Sequence, residues 1–243
     1  MKQPWREKVE IGDAVLYLGD AAGVVPSLFY DVLITDPPYG VGLTAKATKH
    51  GKIKGAIGKG YIGRSDSVDE LAALMPTIEL ALRGAKRALI FSGNRNIHLY
   101  PPPAALGCVF NPAGAGRGPW GFTCFNAVLF YGTDCHRCRL PDSWEQRGGA
   151  DFAEKNGHPC PKPLGMMSWA VYRASLGGET ILDPFMGSGT TALPCLWTGR
   201  KFIGIEIEKT YFDIACRRIE REYTKPQLFG MSILREKPEG LFR

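Results

Sequence analysis

The sequence predicts an open α/β fold, because short apolar runs alternate along the chain with segments of helical period. Seven runs rich in Val, Ile, Leu and Phe have the length of buried strands. Four longer segments carry apolar residues at helical spacing. No internal repeat is seen, and 243 residues suffice for one sizeable core. A single domain over residues 1–243 is therefore expected.

These two patterns give the expected bounds of each element. The strands are expected at Ala14–Leu18, Val32–Thr35, Arg87–Ser92, Gly107–Phe110, Asn126–Tyr131, Thr180–Asp183 and Phe202–Glu206. The helices are expected at Val68–Arg83, Pro163–Ser175, Gly189–Thr198 and Tyr211–Arg221. Thr210 is the expected N-cap of the last helix, in which Phe212, Ala215 and Ile219 share one face.

Composition narrows the class of protein. A net charge of +6 suits a polyanionic partner without requiring one. No apolar run approaches the ~20 residues of a membrane span, and the N-terminal stretch lacks the apolar centre of a signal peptide. The seven cysteines have no framework spacing, which favours reduced thiols in the cytoplasm. Cys135 and Cys138 form a lone C-x-x-C pair, so ordinary loop thiols are favoured over a zinc site and no metal is expected.

Two segments lack the character of core. A mobile basic loop is expected over residues 40–66, because Gly40–Arg64 is rich in Gly, holds five Lys and one Arg, and contains no acid. A merely solvated surface loop is the alternative for this stretch. The polar stretch Thr133–Gly157 is expected to be a small insertion, residues 133–157.

A glycine-rich turn follows the strand that ends at Asp183. Gly187, Gly189 and Ala192 fit the spacing G-x-G-x-x-G/A, which lets the backbone turn tightly and lets a ligand approach it. About 20 residues later the next strand ends at Glu206, where a carboxylate can accept the ribose hydroxyls of a nucleoside. Because Asp183 suits an ammonium better than a pyrophosphate, an amino-acid nucleoside is the expected ligand. A turn without a ligand and a nicotinamide oxidoreductase are the alternatives.

A second motif, Asp36-Pro37-Pro38-Tyr39, follows the apolar strand Val32–Thr35 directly. The prolines remove N–H donors and fix the chain's course, so oxygen acceptors face the space beyond the strand end. Asp36 and the Pro37 carbonyl can accept both hydrogens of an amino group on a planar base, while Tyr39 stacks on the ring. Those bonds draw the nitrogen lone pair out of conjugation, so that it can attack a methyl sulfonium. A proline-rich turn capped by Asp is the alternative.

These motifs, in this order, resemble the amino-methyltransferases of DNA with the beta-type motif order, in which the catalytic element comes first and the cofactor loop late. The resemblance extends from about Ala14 to Arg221 and implies a Rossmann-like, S-adenosylmethionine-dependent methyltransferase fold. That fold has a mostly parallel seven-stranded sheet with one antiparallel strand. The elements that carry the resemblance are Gly19-Asp20, Asp36-Pro37-Pro38-Tyr39, His158-Pro159-Cys160-Pro161-Lys162-Pro163 and Asp183-Pro184-Phe185-Met186-Gly187-Ser188-Gly189-Thr190-Thr191.

The resemblance implies S-adenosyl-L-methionine as cofactor and double-stranded DNA as substrate. The implied catalytic residues are Asp36, Pro37, Pro38 and Tyr39. The implied cofactor contacts are Asp20, Lys162, Asp183, Phe185, Gly187, Ser188, Gly189, Thr190, Glu206 and Ile207. Among these, Glu206 would meet the ribose, Asp20 and Ile207 the adenine, and Lys162 the amino-acid end. The cations expected to bind DNA phosphates are Lys46, Lys49, Lys52, Lys54, Lys59 and Arg64.

The favoured activity is site-specific methylation of adenine N6, as in restriction–modification systems. Cytosine N4 is the alternative, since the family tends to carry Asp first for adenine and Ser first for cytosine. A catalytically silent nucleic-acid-binding paralogue is the alternative from another class. Pro161 departs from the polar residue usual in its motif, and the short stretch at 133–157 predicts a short or degenerate target of about two to four base pairs. Many relatives pair as dimers, which raises the expectation of a homodimer.

Overall fold

The computed structural model describes residues 3–41, 66–112, 114, 116–118, 121–136, 139–145 and 162–225. Its strands are β1 (Trp5–Ile11), β2 (Ala14–Gly19), β3 (Val32–Thr35), β4 (Arg87–Phe91), β5 (Ala105–Phe110), β6 (Gly116–Gly118), β7 (Gly121–Thr123), β8 (Phe125–Gly132), β9 (Ser143–Glu145), β10 (Thr180–Asp183) and β11 (Lys201–Glu206). Its α-helices are α1 (Ala21–Val24), α2 (Val68–Gly84), α3 (Leu164–Ala174), α4 (Ala192–Trp197) and α5 (Lys209–Thr224).

Several sequence expectations lie outside these residues. Of the basic loop predicted over residues 40–66, the structure describes residues 40, 41 and 66, and of the insertion at 133–157 it describes 133–136 and 139–145. The other residues of interest outside the described part are Lys46, Lys49, Lys52, Lys54, Lys59, Arg64, Cys138, His158, Pro159, Cys160 and Pro161.

The main sheet has nine strands in the order β1-β2-β11-β10-β3-β4-β8-β5-β9. The five strands from β2 to β4 pair in parallel. β8 is antiparallel to both of its neighbours, β4 and β5. The seven predicted strands thus form the middle of the sheet, with β8 as the expected antiparallel member, and the α/β fold class is confirmed.

The sheet is wider than expected, because β1 and β9 extend its two edges. β1 pairs antiparallel with β2, and its side chains alternate between half-buried and exposed. Charged residues such as Glu7 and Lys8 interrupt the apolar signal of this edge strand, which explains why its sequence does not predict it. β6 and β7 form a separate two-stranded ribbon. β6, β7 and β9 have three residues each, which is too short for a periodic signal in the sequence.

Two helix starts differ from the sequence prediction. α4 begins at Ala192 and not at Gly189, because Gly187 and Gly189 have positive φ (+52° and +75°), which no α-helix accommodates. α5 begins at Lys209, and its N-cap is Glu208, which makes no side-chain capping bond. Thr210 lies inside this helix, so the predicted N-cap is wrong.

The sheet is covered on both faces by helices. Val32 and Ile34 face a core formed with α3, α4 and α5, whereas Leu33 faces a second core formed with α1 and α2. Burial of both faces explains why β3 is a continuous apolar run. No helix in the described part of the chain is long and apolar enough to cross a bilayer.

The parallel strands bring the sequence motifs to one edge of the sheet. β3, β10 and β11 are neighbours and point the same way, so Asp36, Asp183 and Glu206 all lie at the carboxyl edge. In open α/β sheets this edge is the place where ligands bind.

Candidate active site

Two groups of polar residues lie at the carboxyl edge, and one hydrogen bond joins them. The Asp36 cluster consists of Asp36, Tyr39 and Lys162, and the glycine-loop cluster consists of residues 183–191 with Glu206. The Thr35 hydroxyl, at the end of β3, donates to Asp183 Oδ1 over 2.8 Å. Thr35 precedes Asp36 directly, so this bond links the two clusters.

The Asp36 cluster is a closed set of hydrogen bonds. The Tyr39 hydroxyl donates to Asp36 Oδ1 over 2.6 Å. Lys162 Nζ donates to the Tyr39 oxygen over 2.8 Å and lies 3.1 Å from Asp36 Oδ1. The Lys162 ammonium also lies 4.7 Å from the centre of the Tyr39 ring. Burial raises the pKa of Tyr39 strongly, with the Asp36 charge adding to the shift, so its hydroxyl stays protonated.

The backbone after Tyr39 is held by side chains from elsewhere in the fold. Asn96, which follows β4, donates to the carbonyls of Tyr39 and Gly40. Asp66, just before α2, accepts from the N–H groups of Gly40 and Val41. Neither supporting residue belongs to a motif, so sequence reasoning missed both.

Asp183 is almost completely buried, with 2 % of its surface exposed. Oδ1 accepts from Thr35 Oγ1 and, over 3.2 Å, from Phe185 N, while Oδ2 accepts from Thr191 Oγ1 over 2.6 Å. Burial raises the pKa of Asp183 to about 6, although these hydrogen bonds oppose the rise. The carboxylate therefore ties the glycine loop to β3.

Glu206 ends β11 and is also buried. Its Oε2 accepts from Gly187 N over 3.0 Å, and its Oε1 accepts from Glu208 N over 2.8 Å. Burial raises the pKa of Glu206 to about 7, against the lowering effect of these backbone donors. The acid that the sequence places one strand beyond the loop is thus hydrogen-bonded to the loop itself.

Other predicted cofactor residues make hydrogen bonds to different parts of the fold. Arg218 of α5 binds the loop through the Ser188 carbonyl and the hydroxyls of Ser188 and Thr190. Exposed Asp20 caps α1, accepting from Ala22 N over 3.0 Å. The Ile207 carbonyl accepts a bond from Arg6. Sequence reasoning missed Arg218, whose position on the loop depends on how α5 packs.

Lys162 contacts the other two members of the Asp36 cluster. The resemblance assigns it to the amino-acid end of a cofactor, whereas its described contacts are with Asp36 and Tyr39. The cofactor roles of Lys162, Asp20, Phe185 and Ile207 stay predictions.

Comparison by sequence matches the part of the chain that contains the glycine loop and Glu206. A family model described as DNA methylase, of the N6 and N4 type, matches residues 135–217. The type II methyltransferase M2.DpnII of Streptococcus pneumoniae is 45 % identical over 65 residues, which are 27 % of this chain and 24 % of that protein. The DNA adenine methyltransferase YhdJ of Escherichia coli (strain K12) is 40 % identical over 67 residues, 28 % of this chain and 23 % of that protein. These matches span about a quarter of each relative's length.

Comparison by structure covers far more of the chain. The M1.HpyAVI–SAM complex superposes with a TM-score of 0.57 at 22 % identity, over 84 % of this chain and 98 % of that one. The cytosine-N4-specific PvuII DNA methyltransferase superposes with a TM-score of 0.60 at 13 % identity, over 95 % and 93 %. At these identities the likeness shows the fold. The resemblance to the DNA amino-methyltransferases is therefore confirmed, by sequence over residues 135–217 and by the fold.

Proposed function

We propose that the chain transfers a methyl group from S-adenosyl-L-methionine to N6 of adenine in double-stranded DNA. The observation that carries this proposal is the hydrogen bond from Thr35 to Asp183, which joins the Asp36 cluster to the glycine-loop cluster. A base held at Asp36 and a cofactor held at the glycine loop would then lie side by side. Proximity of this kind can supply much of the rate enhancement of a two-substrate reaction.

The glycine-loop cluster has the donor and acceptor groups that S-adenosylmethionine needs. An ionised carboxylate has about four lone-pair sites. Glu206 accepts backbone bonds on both of its oxygens, and its remaining lone pairs can accept from ribose hydroxyls. Asp183 accepts three bonds and retains capacity for an ammonium. The positive φ angles of Gly187 and Gly189 let the loop backbone approach a ligand. The bound cofactor would supply an electrophilic methyl group.

The Asp36 cluster has the acceptors that an exocyclic amine needs. Lys162 Nζ donates to the Tyr39 oxygen and pairs with Asp36, as an amino group of a base would do. We infer that the amine of a flipped base takes over the acceptor at Asp36, while Lys162 keeps its bond to Tyr39. Asp36 would then orient the amine lone pair toward the methyl group. Its carboxylate would accept the amine N–H and stabilise the positive charge that develops on the nitrogen.

Adenine is favoured over cytosine for two reasons. The motif opens with Asp36, the residue that the family resemblance associates with adenine. YhdJ, one of the relatives by sequence, is named a DNA adenine methyltransferase. The cytosine-N4-specific relative shares the fold at 13 % identity, which carries no information about the base.

The partner and setting follow from the same proposal. Duplex DNA in the cytoplasm is the substrate, and the cations between Lys46 and Arg64 would contact its phosphates. The short stretch at 133–157 favours a target of about two to four base pairs, because each base read needs a held side chain. A homodimer would add a second set of readers to the same DNA.

Expression in a host free of DNA methylation tests the proposed function. Modification-sensitive sequencing of the host DNA should show N6-methyladenine in a short context with the wild-type chain and none with Asp36→Ala. N4-methylcytosine would replace the adenine proposal with the cytosine one. An unmodified genome, from a folded chain that binds S-adenosylmethionine, would indicate a silent paralogue.

A further inference from the structure

We propose that Asn96 and Asp66 are positioning residues for the Asp36 cluster, and this inference rests on the proposed function. Both side chains bind the backbone of the segment from Tyr39 to Val41. Their proposed role is to fix where the Tyr39 ring and the Asp36 carboxylate stand before a base arrives.

Asn96 holds the carbonyl side of this segment. Its Nδ2 donates to the Tyr39 carbonyl over 2.7 Å and to the Gly40 carbonyl over 3.1 Å. Asn96 is 7 % exposed, so water cannot readily replace these bonds. One amide group thus restrains two consecutive peptide units.

Asp66 holds the N–H side of the same segment. Its Oδ1 accepts from Gly40 N over 2.6 Å and its Oδ2 accepts from Val41 N over 3.3 Å. Asp66 is 3 % exposed. Residue 41 precedes the undescribed stretch 42–65 and Asp66 follows it, so this carboxylate joins the two ends of the predicted basic loop.

Gly40 shows how closely the two supports enclose the backbone. Its φ of +68° suits glycine, and a Cβ added there would lie 2.8 Å from Asn96 Nδ2 and 3.1 Å from Val68 Cα. The Tyr39 ring is equally confined, since a Cβ added at Gly93 would lie 3.2 Å from it. Tyr39 therefore lies between the loop after β4 and Lys162. Loss of the Asn96 bonds would remove a restraint on Tyr39 from the side of that loop.

The chain offers a matched control in the same loop. Asn94 likewise makes two side-chain hydrogen bonds, donating to the Phe125 carbonyl and accepting from Ala127 N over 2.8 Å. Those partners belong to β8 and not to the segment after Tyr39. Asn94→Ala and Asn96→Ala thus remove the same group from the same loop, but only Asn96→Ala removes support from Tyr39.

Amide hydrogen exchange tests the positioning role without requiring activity. Asp66→Ala should speed exchange of the Gly40 and Val41 amides by about tenfold, the effect of one lost hydrogen bond each, while the amides of α5 stay unchanged. Asn96→Ala should do the same through the released backbone, and Asn94→Ala should leave both amides at the wild-type rate. Equal exchange at Gly40 and Val41 in all four proteins would overturn the proposal.

Single-turnover methyl transfer at saturating cofactor supplies the second readout. Asn96→Ala should lower the rate by roughly 10- to 100-fold, as expected for a misplacement of about 1 Å, with cofactor affinity unchanged. Asn94→Ala should keep the rate within about threefold, by the same reasoning on geometry. If Asn94→Ala lowered the rate as much as Asn96→Ala does, the cause would be general destabilisation. The same would hold if Asn96→Ala also lowered cofactor affinity. If the wild-type chain transfers no methyl group, the proposed function fails, and the exchange experiment still decides whether Asn96 and Asp66 hold the segment.

Discussion

The two clusters of the site are supported over very different distances along the chain. In the glycine-loop cluster, Asp183 and Glu206 each accept a backbone N–H from two residues further on. In the Asp36 cluster, the supports lie 26, 57 and 123 residues away from the residues that they hold. Apart from the bonds from Thr35 and Arg218, the described contacts of the first cluster lie within residues 183–208, whereas the packing of distant elements organises the second. Substitutions should therefore affect them separately.

Asp36→Ala should give the largest effect, and only on chemistry. Removal of the charged acceptor at the reacting amine should lower the methyl-transfer rate by on the order of a thousandfold, because such a group can supply several kcal/mol of transition-state stabilisation. Cofactor affinity should stay within about twofold, since none of the described glycine-loop contacts involves Asp36. Single-turnover rates and calorimetry measure the two quantities, and near-normal turnover would rule out the assigned role.

Glu206→Ala should act first on cofactor affinity, whereas Asp36→Ala acts on the methyl-transfer rate. Loss of two charge-assisted hydrogen bonds to ribose should weaken cofactor binding by about 100-fold or more, at about 1.5–3 kcal/mol per bond. Glu208→Ala is the matched control, because Glu208 hydrogen-bonds to Glu206 through its backbone N–H, which the substitution keeps. Calorimetry that finds equal affinity in the two variants would exclude the ribose role of Glu206.

The pH dependence of cofactor binding sharpens the comparison further. Burial raises the pKa of Glu206 to about 7, so the carboxyl loses its proton as the pH rises through 7. Because the ionised form accepts both ribose hydroxyls, affinity should increase by up to about tenfold from pH 6 to pH 8. Glu206→Gln should bind more weakly, with a flatter profile. A wild-type profile that is flat over this range would contradict the assignment.

The same shift predicts the pH dependence of stability. The folded-state pKa of Glu206 lies above its ordinary value of 4.5, so the folded chain holds this proton more tightly than the unfolded chain. Its contribution to the free energy of unfolding should therefore decline as pH rises from about 4.5 to 7, by at most about 3 kcal/mol. Glu206→Gln should remove this part of the decline in denaturant titrations. An identical pH profile in the two proteins would show that Glu206 does not titrate in this window.

Thr35→Val should give the smallest effect and touch both clusters. The substitution removes the donor that joins Asp36's strand to Asp183, so the pKa of Asp183 should rise further. We expect a loss of about 1 kcal/mol in stability, or roughly 2–4 °C in melting temperature, and a several-fold loss in rate. Thr77→Val, at a buried threonine of α2, should reproduce the stability loss alone. Equal rates in the two variants would mean that the hydrogen bond does not couple the clusters.

The difference in separation along the chain also explains which features the sequence could predict. The seven middle strands follow from apolar runs such as Val32–Thr35, since a strand buried on both faces has a continuous apolar signal. The glycine loop and Glu206 follow from spacing alone, because their contacts are largely within one strand–turn–helix–strand unit. The edge strand Trp5–Ile11 escaped prediction, because an edge strand mixes charged and apolar residues.

The supports of the Asp36 cluster could not be predicted from spacing. Asn96 looks like any polar residue after a strand, and Asp66 like any acid before a helix. Their function depends on β3 lying beside β4 and on the start of α2 returning to the residue after Tyr39. The partners of Lys162 are equally nonlocal, which is why its motif alone did not predict its bond to Tyr39.

The most direct test is methyl transfer by the purified chain, with nucleosides identified by mass spectrometry. Duplex DNA incubated with isotopically labelled S-adenosylmethionine should yield labelled N6-methyladenine with the wild-type chain. Asp36→Ala should yield none, although it binds the cofactor as tightly. Labelled N4-methylcytosine would contradict the assignment of the base. Equal product from the wild type and Asp36→Ala would contradict the claim that the Asp36 cluster performs the chemistry.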